Sequence, residues 1–338
     1  MSTTKIEWAE KSWNPITGCT KVSEGCKNCY AERMAKRLAG RYGYPKDDPF
    51  RVTFHPDRLD QPLRWKKPST IFVCSMSDLF HEDVNPKDID AVFDVMAEAK
   101  QHQFILLTKR PQNIKEKLYG ITEEWPCREL GGGDYLPNVF LGVTVENQDA
   151  MWRVGELLKI PAAGYWISAE PMLGPLDIRD ALHGYPEPYG GEQYLVTREM
   201  AMDAGDLRLE GQPYQFGEPN WQQTCPPLSG VVLGGESGPG ARPMHPDWAR
   251  GVRDQCADSG VPFMFKQWGA WAPCYEASEG WWCLSQHTGN EIAARIPNNT
   301  KILENKWDES CVSRVGAKRA GRLLGGREHN ETAWRMPV

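Results

Sequence analysis

Short apolar runs that alternate with helix-like segments are the feature that most limits how this chain can fold. The runs occupy residues 70–80, 103–111, 138–147, 165–175, 230–243 and 262–269, and a further run precedes Cys19. They are apolar throughout rather than at every second position, which is typical of parallel strands covered by helices. The sequence therefore predicts an α/β fold, a partial or complete parallel β/α barrel with seven strands.

Helical periodicity lies between several of these runs. In residues 85–101 one helical face collects the apolar side chains of Ile89, Val92, Phe93, Met96 and Ala97. Residues 147–160 have the same character, and the alternation of strand and helix supports the barrel prediction.

Two regions interrupt the alternation. Residues 176–229 are rich in Gly, Pro and charge, which indicates an insertion on the barrel rim. Residues 270–338 follow the last strand, and their segment "GAKRAGRLLGG" predicts a short basic helix stopped by glycine. We therefore expect a barrel over 1–269 that includes the insertion, and a C-terminal extension over 270–338 packed on it.

Polar side chains gather where the predicted strands end. They are Ser75, Ser77, Asp78, Lys109, Glu146, Ser168, Glu170, Glu236 and Lys266. In parallel sheets and barrels, ligands bind at the carboxyl ends of the strands. Any one of these residues is compatible with a helix cap, a surface charge or an internal ion pair, but their repetition predicts an active site.

Three of the ten cysteines, Cys19, Cys26 and Cys29, are spaced C-x6-C-x2-C and lead into a helix. Met34 and Leu38 of that helix are expected to face the protein interior, and the helix is expected to end at Gly40. A structural zinc ion normally has four protein ligands, so zinc would need a fourth, such as Cys74 or His55. A [4Fe-4S] cluster on three thiolates leaves one iron open to another ligand, and both metals stay open at this point.

Charge and composition narrow the class of protein. No run of about 18 apolar residues occurs, and the N-terminus lacks the apolar run of a secretory signal, so we expect a soluble cytoplasmic protein without a membrane partner. Basic segments near both ends are candidate phosphate contacts, namely Arg64, Lys66, Lys67, Lys318, Arg319 and Arg322. The 14 tryptophans suit either core packing or stacking on bases.

Three close cysteines at the end of a first strand, followed by a helix and a parallel barrel, resemble the radical S-adenosylmethionine superfamily, although the first cysteine gap is longer here. The resemblance implies that Cys19, Cys26 and Cys29 hold a [4Fe-4S] cluster whose open iron binds S-adenosylmethionine. It implies electron delivery by a protein such as flavodoxin or ferredoxin, and formation of a 5′-deoxyadenosyl radical that attacks the substrate.

The same resemblance distributes roles among the polar strand ends. Asp78, with Ser75 and Ser77, is expected at the methionine amine of the cofactor. Lys109 and Glu146 are expected at its carboxylate and ribose, and Ser168 also in the cofactor pocket. Glu170, Glu236 and Lys266 on later strands are the expected catalytic residues near the substrate.

Six ordered motifs resemble a more specific family. They are "FVCSMSDLFHEDV", "ILLTKRP", "LGVTVENQ", "ISAEPMLGPL", "GGESGPGARP" and "FKQWG". Together they are similar to a phage-associated family of uncharacterised proteins named for a three-cysteine motif. That resemblance implies a phage or mobile-element setting, in which DNA modification and repair are common activities.

Three functions remain open from the sequence. The first is a radical enzyme that modifies or repairs a nucleic-acid base or nucleotide. The second is a radical enzyme with a small metabolite or peptide as its substrate. The third is a zinc-stabilised nucleic-acid-binding protein without catalysis, although a charged barrel mouth is more typical of an enzyme.

Overall fold

Seven parallel strands form a curled half-barrel in the computed structural model, which describes residues 4, 6–119, 135–183, 228–273, 281–284, 292–296, 311–314, 316–332 and 334. Its strands are β1 (Lys11–Trp13), β4 (Thr70–Val73), β5 (Gln103–Thr108), β6 (Val139–Thr144), β7 (Gly164–Ala169), β8 (Gly230–Gly234) and β9 (Phe263–Gln267). They lie side by side in chain order, and within the described residues β1 and β9 do not pair. The predicted seven-stranded parallel fold is therefore confirmed in its partial-barrel form.

Helices cross between the strands. They are α1 (Tyr30–Leu38), α2 (Pro86–Glu98), α3 (Gln112–Tyr119), α4 (Trp152–Leu158), α5 (Arg179–His183), α6 (Pro246–Asp258) and α7 (Ala317–Ala320). The predicted apolar face of α2 is buried as expected, and Asn85 caps the helix by accepting a hydrogen bond from Lys87 N. The short basic helix α7 ends at Gly321, whose positive φ suits glycine.

Opposite faces of the sheet pack against different partners, which explains why its strands are apolar throughout. Alternate residues such as Phe104, Val143 and Leu233 belong to the main core, which also includes the buried faces of the helices. The other alternate residues, Phe72, Ile105, Phe140, Trp166, Val232 and Met264, lie on the concave face. Both faces are therefore buried, as the pattern predicted.

The two ends of the chain meet on the concave face. Trp8 and Trp334 pack there against Trp166, and Trp334 Nε1 donates a hydrogen bond to Trp8 O at 2.9 Å. Residues near 330 run antiparallel to β9, with Phe265 N donating to His329 O. This aromatic layer closes the floor of the half-barrel with segments that the strand pattern alone did not assign.

Smaller sheets complete the described chain. Strands β2 (Ile16–Thr17) and β3 (Thr53–Phe54) form an antiparallel pair. Four antiparallel strands make a second sheet, in the order β10 (Trp271–Pro273), β13 (Cys311–Arg314), β11 (Trp281–Leu284), β12 (Ile292–Ile296). This sheet falls within the predicted C-terminal extension, whose boundary at residue 270 stays a prediction.

Three details differ from, or fall outside, the sequence expectations. Within α1, Ala31 and Ala35 are buried against Tyr44 and Met76, and Leu38 packs on the same cluster as predicted, whereas Met34 is exposed because it lies on another face of the helix. Most of the predicted insertion, residues 184–227, lies outside the described residues, while its first and last parts contribute to the main core. No helix among the described residues is long and apolar enough to span a membrane.

Candidate functional site

A cavity of about 470 Å³ opens at the carboxyl edge of the half-barrel. Among the residues that line it are most of the predicted site residues: Cys19, Cys26, Cys29, Ser75, Ser77, Asp78, Lys109, Ser168, Glu170, Glu236 and Lys266. The cavity falls within the size range of small-molecule and cofactor sites. The topology thus brings side chains from six separate segments to one place.

The three cysteines reach this cavity from three backbone settings. Cys19 follows Gly18, whose φ of +89° and close approach to Arg51 O exclude a side chain. Cys26 ends a short 3₁₀ turn, and Cys29 directly precedes α1. All three thiols are free and partly exposed, so they are available as ligands.

The surroundings of the three thiols include the candidate fourth ligands of the zinc site that the sequence left open beside the iron–sulfur cluster. Among the described residues, no three His, Cys, Asp or Glu side chains converge as ligands of a single metal ion. His55, one candidate fourth zinc ligand, is buried and bonded to Thr17 Oγ1 at 2.7 Å. In a four-iron cluster each thiolate binds a different iron, so the sulfurs need not converge on one point. Cys74, the other candidate fourth zinc ligand, is a free buried thiol that lines the same cavity as the three cysteines, so the donor set is compatible with either metal.

Electrostatics differ among the thiols. Burial acts to raise the pKa of Cys26, but the Lys109 ammonium and backbone N–H groups outweigh it, so that this pKa lies below its ordinary value. Burial, followed by the Asp78 carboxylate, raises the pKa of Cys19 to about 11, against the effect of Arg110. Positive charge at the cavity wall stabilises thiolates, the form that binds metal.

Arg110 is a residue that the sequence analysis left without a defined role. Its side chain is 1% exposed, and its guanidinium donates to Cys19 Sγ at 3.4 Å and to the Glu82 carboxylate at 2.9 Å. The same group donates to Thr20 O and to one oxygen of Asp78. Arg110 therefore connects the first cysteine to the ends of β4 and β5. In the sequence, its position directly after a predicted strand was the feature that indicated a role in the site.

Asp78 lines the cavity but already has several partners. Its carboxylate accepts hydrogen bonds from Thr108 Oγ1 at 2.7 Å and from the backbone N–H groups of Phe80 and Lys109. It thus caps a local turn and joins the ends of β4 and β5. These contacts, together with the hydrogen bond from Arg110 Nη1, occupy both carboxylate oxygens and hold the carboxylate rigidly at the cavity wall.

The two serines after β4 also support the local backbone. Strand β4 ends earlier than its apolar run because Cys74 adopts a left-handed conformation with φ of +57°. Ser75 Oγ lies 2.6 Å from Ser12 Oγ, and Ser77 Oγ donates to Ile16 O at 2.9 Å. Tyr30, on the neighbouring α1, donates its hydroxyl to Ser75 O. Both serines line the cavity, where Ser75 links the end of β4 to β1 and Ser77 links it to β2.

Glu146 lies behind the cysteine loop and not on the lining of the large cavity. Its carboxylate accepts from Ser23 Oγ at 2.6 Å and from Arg153 Nη1 at 2.7 Å, and Lys109 Nζ is 3.8 Å away. Gly25 passes so close that a Cβ there would be 2.3 Å from Glu146 Oε1. The structure therefore gives Glu146 a supporting position, in contrast to the ribose contact expected from the resemblance.

The predicted catalytic residues form ion pairs on the opposite wall. Lys266 Nζ donates to Glu170 Oε2 at 3.1 Å. Glu236 accepts two side-chain hydrogen bonds from Arg242, at 2.9 and 2.8 Å. Burial acts to raise the pKa of Glu236, but Arg242 outweighs it and holds that pKa below its ordinary value. Glu236 is therefore an anion fixed in place, while the Glu170–Lys266 pair is more accessible from the cavity.

Arg33 is a cavity cation that the sequence analysis did not select. It lies one helical turn after Cys29 on α1, and its side chain has no hydrogen bond or ion pair with another described residue. A Cβ at Gly238 would be 2.5 Å from Arg33 Nη1, so a glycine across the cavity makes room for it. The four-residue spacing from Cys29 was the signal that could have identified it.

The six predicted phosphate contacts do not share one surface. Arg64, Lys66 and Lys67 precede β4 and therefore lie at the amino edge of the sheet, opposite the cavity. Lys318 and Arg319 are exposed on α7, which contacts the chain just after β9 at the carboxyl edge. Arg322 is bound to Glu7 and Asn330. Of the six, Lys318 and Arg319 are therefore the exposed cations on the side of the cavity.

Fold and site define a class of protein with a parallel half-barrel and three free cysteines in a cavity at its carboxyl edge. The chain belongs to the DUF5131 family of proteins of unknown function, whose model matches residues 3–333. No curated protein is significantly similar to it. One similar solved structure is spore photoproduct lyase complexed with dinucleoside spore photoproduct, at 11% identity and a TM-score of 0.34, over 75% of this chain and 62% of that chain.

Proposed function

We propose that the protein is a radical S-adenosylmethionine enzyme that modifies or repairs a nucleic-acid base or nucleotide. The observation that carries this proposal is the meeting of Cys19, Cys26 and Cys29 with polar strand ends in one cofactor-sized cavity. A reduced [4Fe-4S] cluster supplies the electron that cleaves S-adenosylmethionine and so starts radical chemistry on the substrate.

The chain's own residues have distinct tasks in this proposal. The three thiolates hold the cluster, and Arg110 orients Cys19 and offsets its negative charge. Arg33, whose side chain has no hydrogen bond or ion pair with another described residue, presents a donor to the carboxylate of a bound amino acid group, and the Asp78 carboxylate places a negative charge near its amine. The aromatic floor excludes water from the half-barrel, which protects reactive intermediates.

The nucleic-acid substrate is supported by cations beside the cavity mouth. Arg314 donates to Gly238 O, next to the Gly238–Arg33 contact, and Lys318 and Arg319 are exposed nearby on α7. Cations at this edge are placed to bind the backbone phosphates of a nucleic-acid strand while one of its bases enters the cavity. Flavodoxin or ferredoxin is the proposed reductant, and the cytoplasm of a bacterium, including one infected by a phage, is the proposed location.

Anaerobic reconstitution with iron and sulfide tests the proposal. We expect about four irons per chain, brown colour, and 5′-deoxyadenosine after dithionite and S-adenosylmethionine are added. A triple Cys19→Ala, Cys26→Ala, Cys29→Ala variant should bind no cluster and form no 5′-deoxyadenosine. Because Cys256 is buried in α6, away from the cavity, Cys256→Ala is the matched control and should retain the cluster.

Two results would contradict the proposal. A colourless protein that takes up zinc and forms no 5′-deoxyadenosine would support the zinc-stabilised binding protein instead. Formation of 5′-deoxyadenosine without any DNA binding at low salt would retain the radical enzyme but exclude the nucleic-acid substrate, leaving a small metabolite or peptide.

A further inference from the structure

Positive charge is concentrated around the cysteine loop and α1. Residues 20–46 hold seven Lys and Arg against two Asp and Glu, a net charge of +5 in a chain whose total is −6. Of the seven large apolar or aromatic side chains that are exposed in the described part of the chain, four belong to the same stretch: Val22, Tyr30, Met34 and Tyr42. Single exposed apolar side chains are ordinary, but a group of them among cations indicates a binding surface.

One exposed face of α1 combines the two features. The helix packs on the protein through its buried alanines, whereas Tyr30, Met34 and Arg37 follow one another at intervals of four and three residues and share another, exposed face. Arg41 adjoins the end of this face, because its Nη2 donates a hydrogen bond to Arg37 O. We call Tyr30, Met34, Arg37 and Arg41 the α1 strip.

The α1 strip begins at the cavity. Tyr30 lines the cavity and is 52% exposed, so its ring lies at the mouth. Its hydroxyl donates to Ser75 O, which holds the ring in one orientation. Arg33, on the next turn of the helix, also lines the cavity. A molecule that leaves the cavity along α1 therefore passes Tyr30 first and the arginines of the strip after it.

The cations of α1 differ in their partners. Lys36 points to another side of the helix than Arg37, and its Nζ lies 2.7 Å from a carboxylate oxygen of Glu32. The Arg37 guanidinium is exposed and has no hydrogen bond or ion pair with another described residue. Its donors are therefore available to an anion from outside the chain, and phosphate is the anion that the guanidinium shape fits well.

We propose that the α1 strip binds a single strand of nucleic acid where the strand leaves the cavity, with a base stacked on Tyr30 and backbone phosphates on Arg37 and Arg41. A base has a flat face for the aromatic ring, and the phosphates beside it carry the charge that the arginines neutralise. A base that is stacked inside a duplex does not offer its face to a side chain, so the strip selects a single strand. This inference rests on the nucleic-acid substrate of the proposed function, and it adds the single-stranded form and the path of the strand.

Fluorescence anisotropy with a labelled DNA dodecanucleotide, and with the duplex of the same sequence, tests the inference on the anaerobically reconstituted full chain. We expect the wild type to bind the single strand about tenfold more tightly than the duplex, because only the single strand stacks on Tyr30. Tyr30→Leu should weaken single-strand binding about tenfold. Tyr30→Phe keeps the ring and should bind the single strand like the wild type.

Arg37→Gln tests the phosphate contact. It should weaken single-strand binding and reduce the slope of log K against log salt by about 0.7, the value for one phosphate contact on a single strand. Lys36→Gln is the matched control, because it removes the same charge from the neighbouring residue on another side of α1, and it should leave the slope unchanged. Since the Arg37 side chain has no partner among the described residues, Arg37→Gln should also leave the melting temperature unchanged, which separates binding from folding.

Three results would contradict the inference. Equal effects of Arg37→Gln and Lys36→Gln, or equal binding of strand and duplex by the wild type, would overturn it and leave the proposed function standing. An Arg37→Gln protein that binds the strand normally but is reduced more slowly by an acidic electron-transfer protein would also overturn it and assign the strip to that protein. Failure of the wild type to bind DNA at low salt would overturn both the inference and the nucleic-acid substrate.

Discussion

At the scale of single residues, most charged side chains around the cavity neutralise one another. Asp78 pairs with Arg110, Glu236 with Arg242, and Glu170 with Lys266. Such pairs hold the walls in place, since a buried charge without a partner is costly. Arg33 lines the cavity without a side-chain hydrogen bond or ion pair to another described residue, and is therefore the cation that a ligand is expected to contact.

Arg110 offers the sharpest test at this scale. Arg110→Met should lower the free energy of unfolding by about 3 kcal/mol, because it leaves Asp78 buried without its cation. The same change should lower iron content after reconstitution, because Cys19 loses its hydrogen bond. Urea unfolding and iron analysis measure the two effects.

The exposed pair between Arg64 and Asp60 provides the control for Arg110. Arg64→Met removes a similar guanidinium from a surface ion pair, and no measurable change in unfolding or iron content is expected. Equal effects of the two substitutions would contradict the role given to Arg110.

His55 makes stability depend on pH. Burial, and then the Arg58 guanidinium, lower its pKa to about 4 from about 6.5. The unfolded chain therefore binds a proton at higher pH than the folded chain, so stability is complete above about pH 6.5 and falls as the pH drops toward 4. We expect His55 to account for about 1 to 2 kcal/mol of that loss.

Urea unfolding at pH 7.5 and pH 5 measures this contribution. His55→Gln keeps a hydrogen-bonding side chain next to Thr17 but does not titrate. Its loss of stability between the two pH values should be smaller than that of the wild type. A loss of the same size in both proteins would show that other groups, such as His81 and His102, cause the pH dependence.

At the scale of elements, the cysteine loop depends on β6 for its shape. Ser23 and Gly25 pack on Glu146, which follows β6 and is held in turn by Arg153 of α4. This contact joins segments more than 100 residues apart in sequence. It positions the loop that carries Cys19 and Cys26 against the sheet.

Gly25→Ala tests the contact between loop and strand. The added Cβ would lie 2.3 Å from Glu146 Oε1, so the loop or the carboxylate must move. We expect a loss of about 1 to 3 kcal/mol in stability and a lower iron content after reconstitution. In Gly251→Ala, on α6, the new Cβ meets nothing within 4 Å, so this control should gain about 0.5 to 1 kcal/mol. Normal iron content in Gly25→Ala would contradict the supporting role of Glu146.

The sequence predicted some strands and helices more accurately than others. The strands and α2 follow from apolar runs and helical spacing, which report burial on two faces or on one. The inward face of α1 was assigned to Leu38, which does pack on the cluster around Tyr44 and Met76, and wrongly to Met34, whose place on that face is taken by Ala31 and Ala35. A short helix with alanine on its packed face gives a weak apolar pattern, so spacing locates that face less accurately than it does for α2.

At the scale of the whole molecule, the sheet separates the basic segments onto two edges. We expect Lys318→Ala with Arg319→Ala to weaken DNA binding and to reduce the slope of log K against log salt by about 2. Lys66→Ala with Lys67→Ala is the matched control, because it removes the same charge from the opposite edge. Binding titrations at several salt concentrations compare the two. A larger effect of the Lys66 and Lys67 changes would place the nucleic acid on the amino edge.

The sequence by itself determined the seven parallel strands, the carboxyl edge as the place of the site, and the three cysteines as its candidate ligands. These features depend on local spacing and on burial, which a linear pattern records. Only the tertiary structure decided that Glu146 supports the cysteine loop, that Arg110 contacts Cys19, and that Trp8 enters the floor against Trp334. Those contacts join residues that are far apart in the chain. Three-dimensional packing and electrostatics determine which of these residues meet, and the spacing of residues along the sequence does not contain that information.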